Sequence, residues 1–138
     1  DKEAILVGAG NLGRALVSYP GFERYGLQII AVFDRDASKL GTMIGGHEIL
    51  PVHKLPDLAR RLRVQMGIIC VPAEQAQEVA ELMVVGDIDV IWNFAPCHLM
   101  VPERVLVKNE DLAAELATLS HHISQRKLAQ PDHEPSTR

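Results

Sequence analysis

The chain has 138 residues, 18 acidic and 14 basic side chains, a net charge of −4 and two cysteines. Its length suits one domain that builds a core without staples. The acidic balance excludes the clustered Lys/Arg footprint of a segment that grips a nucleic-acid backbone, and Cys70 and Cys97 are too few and too differently placed for a disulfide framework. No signal peptide or long apolar span is present, so a reducing, cytoplasmic setting and no membrane partner are expected. The chain begins with Asp1 rather than Met, and only three residues precede the first apolar run, so an upstream segment is expected as well.

Apolar runs alternate with helical patterns. The spacing predicts a strand at 4–7, a helix from about 11 to 19, a strand at 28–33 and a short strand near 48–52. A helix at 56–63, a strand at 67–71, a helix at 73–85, strands at 88–94 and 104–107, and a helix at 110–124 follow. Runs such as Gly67-Ile68-Ile69-Cys70-Val71 and Val90-Ile91-Trp92-Asn93-Phe94 are apolar on both faces, as strands covered by helices on each side must be. The expected fold is therefore α/β, a doubly wound and mainly parallel sheet. One nucleotide-binding domain is expected over 1–124, closing with a C-terminal helix. The polar stretch 125–138, which contains Pro131 and Pro135, reads as a loose tail.

The first strand runs into Gly8-Ala9-Gly10-Asn11-Leu12-Gly13, and the second delivers Asp34 twenty-one residues after Gly13. Gly-x-Gly-x-x-Gly in that context is a dinucleotide turn. Gly8 permits the tight turn, Gly10 lets the backbone approach a pyrophosphate, and Gly13 lets the helix pack closely on the strand. The helix N-terminus then offers unpaired N–H groups and the positive end of its dipole to the anion. Asp34 is suited to accept hydrogen bonds from the adenosine ribose and would repel a 2′-phosphate, which favours NAD(H) over NADP(H). The neighbouring Arg35 could accommodate that phosphate, although Asp34 and Asp36 flank it. The plainer alternative is that Asp34 only caps a turn into Ala37-Ser38-Lys39-Leu40.

In a doubly wound sheet, ligands sit beyond the carboxyl ends of the strands. Val71-Pro72-Ala73 and Asn93-Phe94-Ala95-Pro96 occupy such ends, the latter being a candidate neighbour of the nicotinamide or simply a strand stopped by a proline. Tyr19-Pro20-Gly21-Phe22 ends the first helix and supplies two rings that could equally fill core. Cys97-His98 and His121-His122 are adjacent pairs, a spacing that points side chains apart rather than onto one ligand, so neither a metal site nor a catalytic thiol is expected. No substrate domain or proton donor is evident, which favours a sensor over an oxidoreductase.

Taken in order, Val7-Gly8-Ala9-Gly10-Asn11-Leu12-Gly13-Arg14-Ala15-Leu16, Tyr19-Pro20-Gly21-Phe22, Phe33-Asp34-Arg35-Asp36, Val71-Pro72-Ala73-Glu74-Gln75-Ala76-Gln77, Asn93-Phe94-Ala95-Pro96 and Val101-Pro102-Glu103 resemble the Rex redox-sensing transcriptional repressors, over residues 4 to about 120. The resemblance implies a homodimeric repressor with an N-terminal winged-helix domain that holds operator DNA and a Rossmann domain that binds NAD(H), with DNA released when NADH replaces NAD⁺. It implies that Gly8 to Gly13 hold the pyrophosphate and Asp34 the ribose. The loops at 71–73 and 93–96 would lie on the nicotinamide side, with Tyr19 nearby. It further implies that Asp111, from a C-terminal helix exchanged across the dimer, senses the nicotinamide of the partner subunit. Two positions depart from the family pattern: Glu110 stands where an apolar residue is common, and Leu112 replaces an aromatic. A dehydrogenase fragment and a CoA-binding module of the succinyl-CoA synthetase type are the competing readings. Asp34 speaks against the latter.

Overall fold

The computed structural model describes residues 2–110 and 112–129. Seven strands form one sheet: β1 (Lys2–Val7), β2 (Leu27–Asp34), β3 (Met43–Ile44), β4 (His47–Pro51), β5 (Met66–Ile69), β6 (Val90–Asn93) and β7 (Leu106–Asn109). Among the described residues, five α-helices accompany them: α1 (Asn11–Val17), α2 (Gly21–Arg24), α3 (Leu55–Leu62), α4 (Ala73–Val85) and α5 (Leu112–Ala129). The strand order is β3-β4-β2-β1-β5-β6-β7, and every neighbouring pair is parallel except the β3–β4 hairpin.

This order is what the apolar runs require. The central strand β1 buries Ala4, Ile5, Leu6 and Val7 and pairs with β2 on one side and β5 on the other. Its alternating side chains feed two cores. Ile5 and Val7 join Phe33, Ile69, Val79, Met83 and Ile91 in one, while Ala4 and Leu6 join Val32, Ile49 and Ile68 in the other. A strand buried on both faces cannot alternate polar with apolar residues, which explains its continuous hydrophobic run. From β1 the chain winds outward through β2 to the β3–β4 hairpin, then returns to β5 and winds the other way. The crevice where strand order reverses thus lies beside the C-terminal end of β1.

Several element boundaries differ from the sequence expectation. Helix α1 stops at Val17 rather than at 19, because a residue before proline is pushed out of the helical region and Tyr19 precedes Pro20. A short helix, α2, follows directly, with Pro20 as its N-cap. The β3–β4 hairpin turns on Gly45 and Gly46, both at positive φ (55° and 84°), a two-residue turn that glycine makes at little strain. Strand β5 ends at Ile69, and Cys70 N–H still donates to the Val7 carbonyl at 2.8 Å before the chain leaves for α4. Strand β7 begins two residues later than expected because Val105 N–H closes a turn onto the Pro102 carbonyl at 2.9 Å. Helix α5 runs on to Ala129, past the expected end at 124. Gln125, Arg126, Lys127 and Leu128 are good helix formers, so the helix continues into a stretch whose overall polarity reads as a tail.

Candidate functional site

A cleft of about 420 Å³ opens at the carboxyl ends of the central strands. It is lined by Gly8, Gly10, Leu12, Asp34, Arg35, Asp36, Lys39, Cys70, Val71, Pro72, Gln75 and Phe94. Residues as far apart in sequence as Gly8 and Phe94 meet there because the parallel winding brings the ends of β1, β2, β5 and β6 to one rim.

The glycine turn forms the floor. Gly8 has φ +113°, and a Cβ there would sit 2.5 Å from the Cys70 carbonyl oxygen, so β1 and β5 approach too closely for any side chain. A Cβ on Gly13 would collide with the Gly8 carbonyl oxygen, so the start of α1 is pressed against the turn. Gly10 differs: nothing lies within 4 Å of where its Cβ would be, and it serves as N-cap of α1 without a side-chain hydrogen bond. Its bare backbone faces open space, with the first turn of α1 behind it.

Asp34 is buried at the end of β2, 8 % exposed. Its Oδ2 accepts the Ala9 N–H at 2.8 Å and its Oδ1 accepts the Asp36 N–H at 2.8 Å. Lys39 Nζ stands 3.9 Å from Oδ2. The carboxylate therefore does two things at once: it fixes the glycine turn against β2, and with two lone pairs on each oxygen it keeps acceptor capacity toward the cleft. Asp36 is turned instead to the 3₁₀ turn Ala37–Lys39, where its Oδ1 accepts the Ser38 hydroxyl at 2.8 Å and the Ser38 N–H at 3.0 Å. The Ser38 hydroxyl, followed by its N–H, holds the Asp36 carboxyl below its ordinary value. The alternative role considered for Asp34, capping this turn, thus falls mainly to Asp36. Arg35 reaches over to α4, its Nη1 donating to Glu78 Oε1 at 3.3 Å.

On the opposite wall Val71 and Pro72 line the cleft, and Pro72 is the N-cap that starts α4. Ala73 opens that helix. Burial pushes the Cys70 thiol up to about 12, which leaves it protonated at neutral pH.

Beyond β6, Phe94 lines the cleft whereas Ala95 and Pro96 line a separate hollow of about 280 Å³ with Cys97, His98, Asn109 and Glu110. Asn93 is wholly buried and organises the loop rather than facing the cleft. Its Oδ1 accepts the Ala95 N–H at 3.0 Å, and its Nδ2 lies 3.2 Å from the carbonyls of Ala95 and Cys97 and 3.0 Å from Asn109 Oδ1. Gln77 of α4 pins the far end of the loop through two 2.8 Å hydrogen bonds to the Met100 backbone. Tyr19, half exposed, heads a chain of rings. It meets Phe22 edge-on at 5.1 Å, Phe22 meets Trp92 at 5.9 Å, and Trp92 meets Phe94 at 4.9 Å. Tyr19 thereby connects to the cleft through packing rather than by lining it. Asp111 lies outside the described residues.

Of the residues singled out from sequence, Gly8, Gly10, Leu12, Asp34, Arg35, Val71, Pro72 and Phe94 come together around the cleft, and Ala9 is tied to it through Asp34. Asn11, Gly13, Ala73, Asn93, Ala95 and Pro96 do not line it, and Ala95 and Pro96 belong to the neighbouring hollow. Sequence reasoning missed Asp36, Lys39, Cys70 and Gln75 as lining residues. Their signal was present, since Cys70 and Gln75 flank Val71-Pro72-Ala73 and Asp36 and Lys39 follow Asp34 within five residues. Among the described residues, no three His, Cys, Asp or Glu side chains gather as a metal site, and no helix is long and apolar enough to cross a membrane.

Comparison with known proteins places this cleft in context. The family described as "CoA binding domain" matches residues 1–97. The redox-sensing transcriptional repressor Rex of Desulfitobacterium hafniense is 42 % identical over 127 residues, covering 92 % of this chain and 60 % of that protein. The crystal structure of RSP in complex with β-NAD⁺ and operator DNA superposes with a TM-score of 0.86 at 34 % identity, covering 94 % of this chain and 60 % of that one. RSP, a Rex-family repressor, in complex with β-NADH gives a TM-score of 0.85 at 33 % identity, covering 96 % and 64 %. The chain spans less than two thirds of each of these relatives. The doubly wound fold and the resemblance to the Rex repressors are both borne out.

Proposed function

We propose a function that starts from the family: this chain belongs to the CoA binding domain family, and it acts as the NADH/NAD⁺-sensing domain of a redox-responsive transcriptional repressor, not as an enzyme. The observation that carries this reading is Asp34, a buried carboxylate at the end of β2 that is fixed by the Ala9 N–H and borders the cleft. A ribose with free hydroxyls can donate to it. A ribose bearing a phosphate, whether the 2′-phosphate of NADP(H) or the 3′-phosphate of CoA, brings negative charge against it. The CoA reading has the family match in its favour and Asp34 against it. The resemblance to Rex and the solved RSP complexes support NAD(H).

In this reading Gly8, Ala9, Gly10, Asn11, Leu12 and Gly13 cradle the pyrophosphate with backbone N–H groups at the start of α1. Asp34 takes the adenosine ribose, with Arg35 at the rim. Val71, Pro72 and Ala73 and the loop Asn93, Phe94, Ala95 and Pro96 border the nicotinamide, backed by the rings that lead to Tyr19. Asp111 of a partner subunit completes the pocket through an exchanged α5. The nucleotide domain spans 1–124, with α5 extended to Ala129. The complete protein is a cytoplasmic homodimer that grips operator DNA through an upstream winged-helix segment.

The switch is a population shift. NADH must bind the DNA-releasing arrangement more tightly than the DNA-bound one, since equal affinity for both moves nothing. Switching from 1:99 to 99:1 requires about 5.5 kcal/mol of differential binding. The uncharged dihydronicotinamide enters an apolar pocket between subunits more cheaply than the cationic oxidised ring.

The one tryptophan of the chain, Trp92, packs on Phe94 of the cleft wall, which offers a direct test. NADH bound in this cleft should accept Trp92 emission, with energy transfer abolished by excess NAD⁺ but not by CoA. Energy transfer that CoA displaces and NAD⁺ does not would transfer the assignment to a CoA module.

A further inference from the structure

The ion pair between Arg35 and Glu78 spans the rim of the cleft, and nothing in the functional reading above uses it. Arg35 follows β2 directly, on the wall that carries Asp34. Glu78 lies on α4, one turn beyond Gln75, which lines the cleft from the β5 side. The two side chains meet at 3.3 Å across 43 residues of sequence. Both are exposed, 51 % for Arg35 and 66 % for Glu78, so the pair adds little to folding. Its position gives it a different use. The corner where a ribose phosphate would lie contains Asp34, Asp36 and Glu78 against Arg35 and Lys39, an excess of one carboxylate. Without Glu78 the charges balance, and the one guanidinium that lines the cleft among the described residues loses the partner that holds it toward α4. A free guanidinium beside the ribose is what binds a 2′-phosphate bidentately.

We propose that Glu78 is a specificity-determining residue: by holding Arg35 against α4 and cancelling its charge, it denies NADP(H) the cation that Arg35 would otherwise supply. The proposal rests on the assignment of the cleft to NAD(H). Asp34 and Glu78 then exclude the phosphate in different ways, Asp34 by repulsion from within the cleft and Glu78 by sequestering the guanidinium, while the other cation of the corner, Lys39, already stands 3.9 Å from Asp34 Oδ2.

The test is the ratio of NADPH to NADH affinity, measured by calorimetry on the whole chain. In Glu78→Gln the ratio should shift toward NADPH by about fivefold, the size of one exposed charge contact, and in Glu78→Lys by more. The shift should shrink as salt is raised, because the contact is solvent-exposed. Glu81→Gln removes the same charge one turn further along α4, where the carboxylate meets Gln77 at 3.2 Å rather than Arg35, and should leave the ratio unchanged. Adding Arg35→Ala to Glu78→Gln should abolish the gain. An unchanged ratio in Glu78→Gln, an equal shift in Glu81→Gln, or a gain that survives Arg35→Ala would each overturn the proposal while leaving NADH binding by the parent chain intact. Failure of the parent chain to bind NADH would instead overturn the functional reading, and this proposal with it.

Discussion

The Ala9 N–H donates to Asp34 Oδ2 at 2.8 Å, so the carboxylate at the end of β2 holds the glycine turn at the end of β1. Ala9 is wholly buried, and without Asp34 its N–H loses this acceptor. A hydrogen bond to a charged group contributes about 1.5–3 kcal/mol. Asp34→Ala should therefore cost the ligand-free domain about 2 kcal/mol in urea unfolding, in addition to weakening NADH. Loss of NADH affinity with no loss of ligand-free stability would show that the tie to the turn is energetically idle. Unchanged NADH affinity would remove Asp34 from the site.

The three glycines of the turn should separate under mutation. Gly13→Ala sets a methyl against the Gly8 carbonyl oxygen and should destabilise the fold by more than the ~1–3 kcal/mol usual for overpacking. Gly10→Ala meets nothing within 4 Å and has an ordinary φ of −82°, so stability should change by about 1 kcal/mol or less. Its methyl would project into open space, where the proposed function puts the pyrophosphate, and NADH affinity should fall by about tenfold or more. Thermal unfolding and titration of the two variants check this. Equal behaviour in both assays would contradict the distinct roles.

Much of this was legible in the sequence because parallel winding ties chemistry to strand ends. Once Ile5-Leu6-Val7, the glycine turn and Asp34 are read as strand, turn and strand end, the location of the cleft follows from topology. What was not legible depends on side-chain direction. Asn93 and Phe94 are adjacent, yet one faces inward to tie a loop and the other lines the cleft. The Arg35–Glu78 pair joins residues 43 apart and has no local pattern to betray it. Strand β3 was missed because a two-residue strand carries no periodicity, although Gly45-Gly46 marks its turn into β4, which was expected near 48–52. The extension of α5 was missed because a solvent-exposed helix and a polar tail share a composition.

Cys70 should be inert at neutral pH although it lines the cleft. Burial raises its thiol from 9.0 to about 12, so the folded state prefers the protonated form. The stabilising contribution is fully present below pH 9 and is lost as pH rises from 9 toward 12, at about 1.4 kcal/mol per unit. The difference in unfolding free energy between the parent chain and Cys70→Ala should therefore narrow across that window. A constant difference from pH 8 to 11 would contradict the burial argument.

Leu116, Leu119 and Ile123 are 65 %, 61 % and 57 % exposed, and their spacing of three and four residues puts them on one face of α5. Exchange of this helix across a dimer would bury that face. The domain should sediment as a dimer at micromolar concentration, and Ile123→Glu should dissociate it. A parent chain that remains monomeric at high concentration would contradict the exchange.

Whether the cleft reads the oxidation state of a nicotinamide is decided by paired calorimetric titrations with NADH and NAD⁺ at matched salt and pH, with CoA as control. NADH should bind much more tightly than NAD⁺, and CoA should give no heat. Comparable affinities for the two redox forms, or binding of CoA alone, would contradict that reading.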